Sequence, residues 1–324
     1  MIRSEVIIIG GGPAGSTCGW ILKKNGIKCL ILDKQKFPRS KLCAGWITPE
    51  VISNLRIHIN KYPGSITKFN KFHVHLRSKE LKVKVNQYAI KREEFDHWLL
   101  KRSGVELHNH EVIEIKNEGD NYIIDEKYSC KYLIGAGGTY CPVYRTYFKQ
   151  SNPRIQELQV VTLEEEFIYN YQDSNCHLWF LQNRLPGYSW YVPKSDGYLN
   201  LGIGGFFEKL KAKNENIKFH WDLFTQKLEQ LSLVKNHPFN PKGYTYYVRN
   251  YTDIIHLHNT FIIGDAAGLA TRDMGEGIGP AIKSGILAAN AILYNKPFIA
   301  NSIRKFSFKR HQTLLKLLYA YVFN

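Results

Sequence analysis

The chain has 324 residues and a mass of 37.5 kDa, enough to bury about 75% of the surface its unfolded form exposes and to build two interleaved domains. Its 44 Lys+Arg against 28 Asp+Glu give a formal charge of +16, which suits anionic partners such as membrane surfaces or phosphorylated substrates; no nucleic-acid module accompanies it, and a merely basic soluble surface explains it as well. No apolar run reaches about 18 residues, so no transmembrane helix is expected; the amino terminus enters a strand almost at once, which leaves no room for a signal peptide, and six cysteines without C-x-x-C spacing point away from a metal site and toward a reducing cytoplasm.

Val6-Ile7-Ile8-Ile9 is apolar and β-branched, and reads as a buried parallel strand. Gly10, Gly12 and Gly15 follow in the G-x-G-x-x-G pattern, where the first glycine permits a tight turn, the second admits a pyrophosphate and the third lets helix and strand pack closely. Pro13 suits the first helical turn, Ala14 follows it, and a helix to about Asn25 directs its free N–H groups at phosphates. A second strand, Lys28 to Leu32, ends in Asp33, 18 residues after Gly15, where a carboxylate binds ribose hydroxyls; Lys34 stands beside it. This much announces a dinucleotide without separating NAD from FAD.

Lys68 to Ile90 alternates like strands, and Arg92 to Arg102 reads as a helix. Arg92 opens that helix, where the dipole does not favour a cation, so it is either a ligand of a cofactor pyrophosphate or ribose, or half of a surface salt bridge. Three strands are expected at Val105–Leu107, Val112–Ile115 and Tyr132–Ile134, the last running into Gly135-Ala136-Gly137. From Glu157 to Phe206 aromatic and β-branched residues with turn punctuation predict an antiparallel sheet, a platform on which Trp179, Tyr188 and Trp190 either line an apolar pocket or fill the core; His177 is not expected to be catalytic. Ile217–Val234 reads as an amphipathic helix with Phe219, Leu223, Leu228 and Leu231 on its apolar face.

Thr260 to Ile263 predicts another buried strand, closed by Gly264-Asp265, whose acid can bond a ribityl hydroxyl. Gly275, Gly277 and Ile278 open a further helix, with N-terminal amides suited to the pyrimidine edge of a flavin, where negative charge develops on reduction. Two glycine clusters about 250 residues apart thus grip one long dinucleotide at both ends, which favours FAD and a redox function. The tail from Ile299 is basic and aromatic, with Arg304, Lys305, Lys309, Arg310 and Lys316 beside Phe306, Phe308, Leu314, Leu315, Leu317, Leu318 and Tyr319; it reads as a packing helix or as a membrane-surface helix.

These runs resemble the FAD-dependent oxidoreductases of p-hydroxybenzoate hydroxylase fold, and within them the sequence is most similar to the geranylgeranyl reductase family. The resemblance is carried by the glycine loop; by Phe37-Pro38-Arg39-Ser40-Lys41-Leu42-Cys43-Ala44-Gly45; by Arg92-Glu93-Glu94-Phe95-Asp96; by Gly187-Tyr188-Ser189-Trp190-Tyr191-Val192-Pro193-Lys194; and by Gly264-Asp265-Ala266-Ala267-Gly268 through Gly275-Glu276-Gly277-Ile278. It implies an α/β (α+β) fold: a Rossmann-like FAD-binding domain from 1–67, 91–150 and 255–298, an interleaved antiparallel β-sheet substrate domain from 68–90 and 151–254, and a helical tail from 299–324. It also places Arg39, Lys41, Cys43, Ala44 and Gly45 beside the flavin, with Cys43 either touching the isoalloxazine or serving as a structural thiol, and adds Val112, Gly135, Ala136 and Gly137 to the cofactor contacts. Cys43, Tyr188 and Trp190 are the candidate catalytic residues.

The implied activity is reduction of carbon–carbon double bonds in a small apolar or lipid-like, isoprenoid-type substrate, with NAD(P)H or another reductant as electron donor. Gly135-Ala136-Gly137-Gly138 lacks the Asp-Gly pair of many hydroxylases, and the chain is short at its carboxyl end for the family, so the resemblance leads to the expectation that part of the usual lipid pocket is missing or rebuilt. A flavin-dependent monooxygenase, a halogenase and a non-enzymatic flavin redox sensor are the alternatives. A cytoplasmic setting with peripheral contact to an anionic inner membrane face fits the charge, and oligomeric state stays open.

Overall fold

The computed structural model describes residues 1–76, 79–250 and 254–307. The chain begins with β1 (Ile2–Ile9), α1 (Pro13–Lys24), β2 (Cys29–Asp33), β3 (Trp46–Ile47) and α2 (Pro49–Asn54). Next come β4 (Ile66–Leu76), β5 (Lys79–Ile90), α3 (Arg92–Ser103), β6 (Glu106–Asn109), β7 (Ile115–Glu118), β8 (Asn121–Ile124) and β9 (Tyr128–Gly135). The second half runs β10 (Gln159–Ile168), β11 (Cys176–Phe180), β12 (Gly187–Pro193), β13 (Tyr198–Phe206), α4 (Phe207–Lys211), α5 (Ile217–Gln230), β14 (Lys242–Tyr247), β15 (His256–Leu257), β16 (Thr260–Ile262) and α6 (Ile278–Tyr294).

Two sheets organise these elements. The first has the order β15-β16-β9-β1-β2-β6, with β8 and β7 continuing antiparallel from β9. Its centre is parallel: β1 pairs with both β2 and β9, β2 with β6, and β9 with β16. Both faces of this sheet are covered, which is why its strands read as unbroken apolar runs. Val6 and Ile8 of β1 pack with Cys18, Leu22 and Ala288 beneath α1 and α6, while Ile7 and Ile9 point into the opposite cluster with Leu133, Val143 and Phe148.

The second sheet has the order β14-β10-β13-β12-β11-β4-β5-β3, antiparallel throughout except where β4 lies parallel to β11. Strand alternation divides its apolar residues between two faces. Tyr191, Leu201 and Ile203 meet Trp221, Phe224 and Leu228 of α5, and Leu178, Phe180 and Trp190 form the opposite cluster with Phe72 and Met274. The chain crosses between the sheets repeatedly, so Trp46–Ile47 and Ile66–Thr67 already belong to the second sheet.

The structure corrects several expected elements. Val112–Ile115 is not a strand: β7 starts at Ile115, because the N–H groups of Ile113 and Glu114 donate to the Asp125 carboxylate rather than to a neighbouring strand. The strand expected at Val105–Leu107 is shifted to Glu106–Asn109, and β8 was not foreseen. Helix α5 is capped by Asn216, which accepts from Phe219 N, and it ends at Gln230, four residues early, where Ser232 turns into the left-handed region at φ 56°. The buried face of α5 carries His220, Trp221, Phe224 and Leu228, whereas Phe219 and Leu231 are exposed.

Among the described residues no helix is long and apolar enough to cross a membrane. Lys309, Arg310 and Lys316, with Phe308, Leu314, Leu315, Leu317, Leu318 and Tyr319, lie outside the described residues. Within them, Arg304 pairs with Glu50 at 3.0 Å.

Candidate functional site

A cavity of about 670 Å³ is lined from both sheets. Its long end begins at the β1–α1 turn, where Gly10 has φ +112° and a Cβ would lie 2.4 Å from the Ala136 carbonyl oxygen. Gly15 is closed in more tightly: a Cβ there would lie 1.9 Å from the Gly10 oxygen. Gly12 differs, since a Cβ on it would meet only Arg39 Nη2 at 3.4 Å and otherwise project into the cavity. The third glycine therefore holds helix to strand and the second keeps space open for a ligand.

Gly10, Gly12, Pro13 and Ala14 line this end together with Asp33 and Lys34. Asp33 Oδ2 accepts from Gly11 N at 2.7 Å and Oδ1 from Gln35 N at 2.8 Å, which ties the end of β2 to the glycine turn. Lys34 is exposed at the rim and pairs with Glu111 at 3.3 Å. Val112, Ala136 and Gly137 complete the wall.

Further in, Arg39, Lys41, Cys43 and Ala44 line one side, and Gly264, Asp265, Gly275, Gly277 and Ile278 the other. Gly45 and Gly135 do not reach the cavity. A Cβ on Gly45 (φ +77°) would lie 2.1 Å from the Ile90 oxygen, and one on Gly135 would lie 2.8 Å from Val143 Cβ, so both serve the packing behind the wall.

Arg92 lines the cavity while making a buried ion pair. Its Nε and Nη2 donate to the two oxygens of Asp96 at 2.9 and 2.8 Å, and Arg39 approaches the same carboxylate at 3.5 Å. Burial works against the Arg92 charge, but Asp96 and a hydrogen bond to the Cys43 thiol hold it above its ordinary range. The surface salt bridge expected as one alternative is thus an interior one. Burial pulls the Lys41 ammonium down to about 8 against the opposing pull of Asp265, and Arg92 and Arg39 add to the fall. Lys41 Nζ sits 3.1 Å from the ring centre of Tyr244.

The short end is aromatic. Trp46, Phe180, Tyr188 and Trp190 share it with Met274, whose carbonyl accepts from Tyr188 Oη at 2.7 Å. Tyr188 stacks on Phe180 at 5.1 Å and lies parallel to Trp46 at 6.4 Å. Trp190 lies flat on β13, because a Cβ on Gly202 would come within 2.1 Å of its ring. Trp179 does not join them. Alternation puts it on the opposite face of the sheet, stacked on His75 and against Phe224 of α5. His177 is on that face too, between Asp173 and His75.

Sequence reasoning missed Trp46, Glu164, Tyr244, Tyr246 and Asn200. The inward phase of Glu164 becomes readable only once β10 is placed in its sheet. Val160, Thr162 and Glu164 share one phase of β10 and all line the cavity, so an acid occupies an inward position of a half-buried strand. Arg154 was missed as well. It lies over Tyr144 and Tyr247 at 4.2 and 4.7 Å and donates to the Ala266 carbonyl at 3.3 Å, which braces the turn carrying Asp265.

The residues fit a flavin dinucleotide. Helices α1 and α6 both begin at the cavity, from Gly12 and Gly277, with no side-chain cap on their free N–H groups. Two uncapped helix ends facing one cavity suit an anionic group at one end and a developing negative charge at the other. Space stays open before Gly12, and Asp265 Oδ1 lies 3.3 Å from where a Gly277 Cβ would be, at the start of α6. Asp265→Ala should weaken retention of such a ligand by about 1–3 kcal/mol, since the partner hydroxyl loses its acceptor; flavin release followed by fluorescence titration measures it, and unchanged affinity would assign the carboxylate to the fold alone.

A sequence-family profile described as pyridine nucleotide-disulphide oxidoreductase matches residues 7–173. An uncharacterized protein of Methanosarcina barkeri is 31% identical, covering 90% of this chain and 75% of its own length. Digeranylgeranylglycerophospholipid reductase 3 of Methanosphaera stadtmanae is 28% identical over 88% of this chain and 76% of its own. Among solved structures, a geranylgeranyl bacteriochlorophyll reductase-like protein from Thermoplasma acidophilum superimposes with a TM-score of 0.79 at 21% identity, covering 100% of this chain and 88% of the other.

Proposed function

The chain belongs to the geranylgeranyl reductase family of FAD-dependent oxidoreductases, and from that premise we propose that it saturates carbon–carbon double bonds of an apolar, isoprenoid-type substrate. The observation that carries the reading is the continuity of one cavity, from the glycine turn and the two helix ends to the aromatic pocket of Trp46, Phe180, Tyr188 and Trp190. Bound FAD, once reduced, supplies a hydride; NAD(P)H or another reductant recharges it.

The chain's own residues do the rest. Gly12 and the α1 amides bind the pyrophosphate, and Arg39 adds a cation beside it. Asp265 and the α6 amides orient the other end. The Cys43 loop, held by Arg92 and the Gly45 N–H at 3.3 Å from the thiol, forms the wall where flavin and substrate meet. The aromatic pocket takes the apolar chain and excludes water. The basic surface suits an anionic head group on that chain, and peripheral contact with an anionic membrane would follow from it.

The test is anaerobic. Reduced protein mixed with a digeranylgeranylglycerophospholipid should be reoxidised, and the product should gain two hydrogens per double bond. If turnover requires oxygen and the product gains one oxygen atom, a monooxygenase reading replaces this one. If oxygen reoxidises the flavin and no product forms, the protein is a flavin redox sensor.

A further inference from the structure

We propose that Glu164 is the acid that protonates the substrate carbon when the double bond is saturated. The inference rests on the reading of the site as an alkene reductase, which needs one proton beside each hydride.

Glu164 lines the cavity from β10, 4% exposed, paired across to Gly202, on which the Trp190 ring lies. Among the described residues two donors reach its carboxyl, and both reach the same oxygen: Cys43 N at 2.6 Å and Asn200 Nδ2 at 2.9 Å, each to Oε1. The second oxygen is left to carry a proton. Asn200 is itself fully buried and fixed, since its Oδ1 accepts from Trp190 Nε1 at 2.8 Å and its Nδ2 also donates to Glu166 Oε2 at 3.0 Å. The carboxyl is therefore aimed by a frame that includes the aromatic wall and the Cys43 loop.

The charged and titratable groups around it come from every adjoining element. Glu166 lies on its own strand and pairs with buried Lys194 at the end of β12; Cys43 faces it from the loop and Tyr246 from β14. Burial pushes the Glu164 carboxyl up to about 7, against Asn200, Lys194 and the Cys43 N–H, with Glu166 adding to the rise. Such an acid keeps about half of its population protonated at neutral pH and can release its proton.

Three other proton-bearing groups in the cavity are engaged elsewhere. Tyr188 donates to the Met274 carbonyl, Lys41 lies on Tyr244 beside Asp265, and Glu276 is tied to Ser307 near Arg304. In the step, the Glu164 O–H bond breaks and its proton joins the alkene π pair in a new C–H bond. The adjacent carbon takes the hydride supplied by reduced flavin. The electron pair left on the carboxylate is stabilised by the Cys43 and Asn200 N–H groups until solvent returns a proton.

The experiment compares wild type with Glu164→Gln and Glu164→Asp. The wild-type infrared spectrum should contain the C=O band of a buried neutral carboxyl that disappears as pH rises through about 7 and is absent from Glu164→Gln. Anaerobic reoxidation of reduced protein by a digeranylgeranylglycerophospholipid should slow with rising pH in wild type. In Glu164→Gln it should be at least about 100-fold slower and independent of pH, with Glu164→Asp in between and flavin content retained. A wild-type rate and pH profile in Glu164→Gln would overturn the proposal and leave the reductase reading intact, and so would absence of the titrating band in wild type. A wild-type protein that no alkene reoxidises would remove the reductase reading and this proposal together.

Discussion

Asp96→Ala should cost about 3–5 kcal/mol of stability, because it leaves a buried guanidinium without its counter-charge. Asp96 is fully buried, and it accepts both hydrogen bonds from Arg92 while facing Arg39. Removing it places two cations side by side next to the Cys43 loop. The melting temperature of the flavin-free protein should drop on the order of 10 °C, and flavin retention should fall with it as the loop shifts. Asp96→Asn, which keeps the shape and one acceptor, should lose less. Calorimetry on the three proteins decides it: equal melting temperatures would mean that solvent reaches the pair and replaces the carboxylate.

Gly15→Val should leave little folded protein. The added Cβ would lie 1.9 Å from the Gly10 oxygen and 3.1–3.2 Å from Ile8 and Ala136, so α1 must lift from the sheet at the point where both core clusters meet β1. Overpacking typically costs about 1–3 kcal/mol, and here the obstacle is backbone that cannot rotate away, so the upper end or beyond is expected. Gly12→Val should behave oppositely, folding normally but binding no flavin, since only Arg39 stands near its Cβ. Soluble yield and flavin absorbance of the two variants separate packing from ligand space. A yellow, stable Gly15→Val protein would refute the packing role.

The parts of the molecule that could be read from sequence are those where a backbone constraint dictates the residue. The β1–α1–β2 unit and the start of α6 follow from glycines in a recognisable spacing, of which Gly10 and Gly15 leave no room for a side chain. Arg92 was recognised as misplaced at a helix start, and its partner was within reach, since Asp96 stands four residues on, where helical side chains meet. What was not legible depends on strand phase. In Cys176-His177-Leu178-Trp179-Phe180 every residue is buried, so nothing in the run says that Phe180 lines the cavity and Trp179 faces α5. Glu164, Glu165 and Glu166 look like a solvated stretch, and only pairing with β13 and β14 shows that the first of them points inward. The Phe219 and Leu231 error has a similar origin, because helical spacing gives a face but not which face is covered.

The interleaving of the two sheets has a consequence for synthesis. Ile2 is paired with Tyr128, Leu133 with Thr260, and Phe72 with Cys176, so neighbours within each sheet are made far apart in time. A nascent chain that has just completed β9 still lacks β16, and β4 waits for β11 with an open edge. Such non-local closure makes folding slow and leaves incomplete chains exposed to aggregation. Neither sheet can be finished before the ribosome has passed residue 247 for the second and residue 262 for the first. The protein should therefore depend on holding chaperones during translation, and a ligand bound by residues from both ends of the chain should act as the last clasp on the assembled fold.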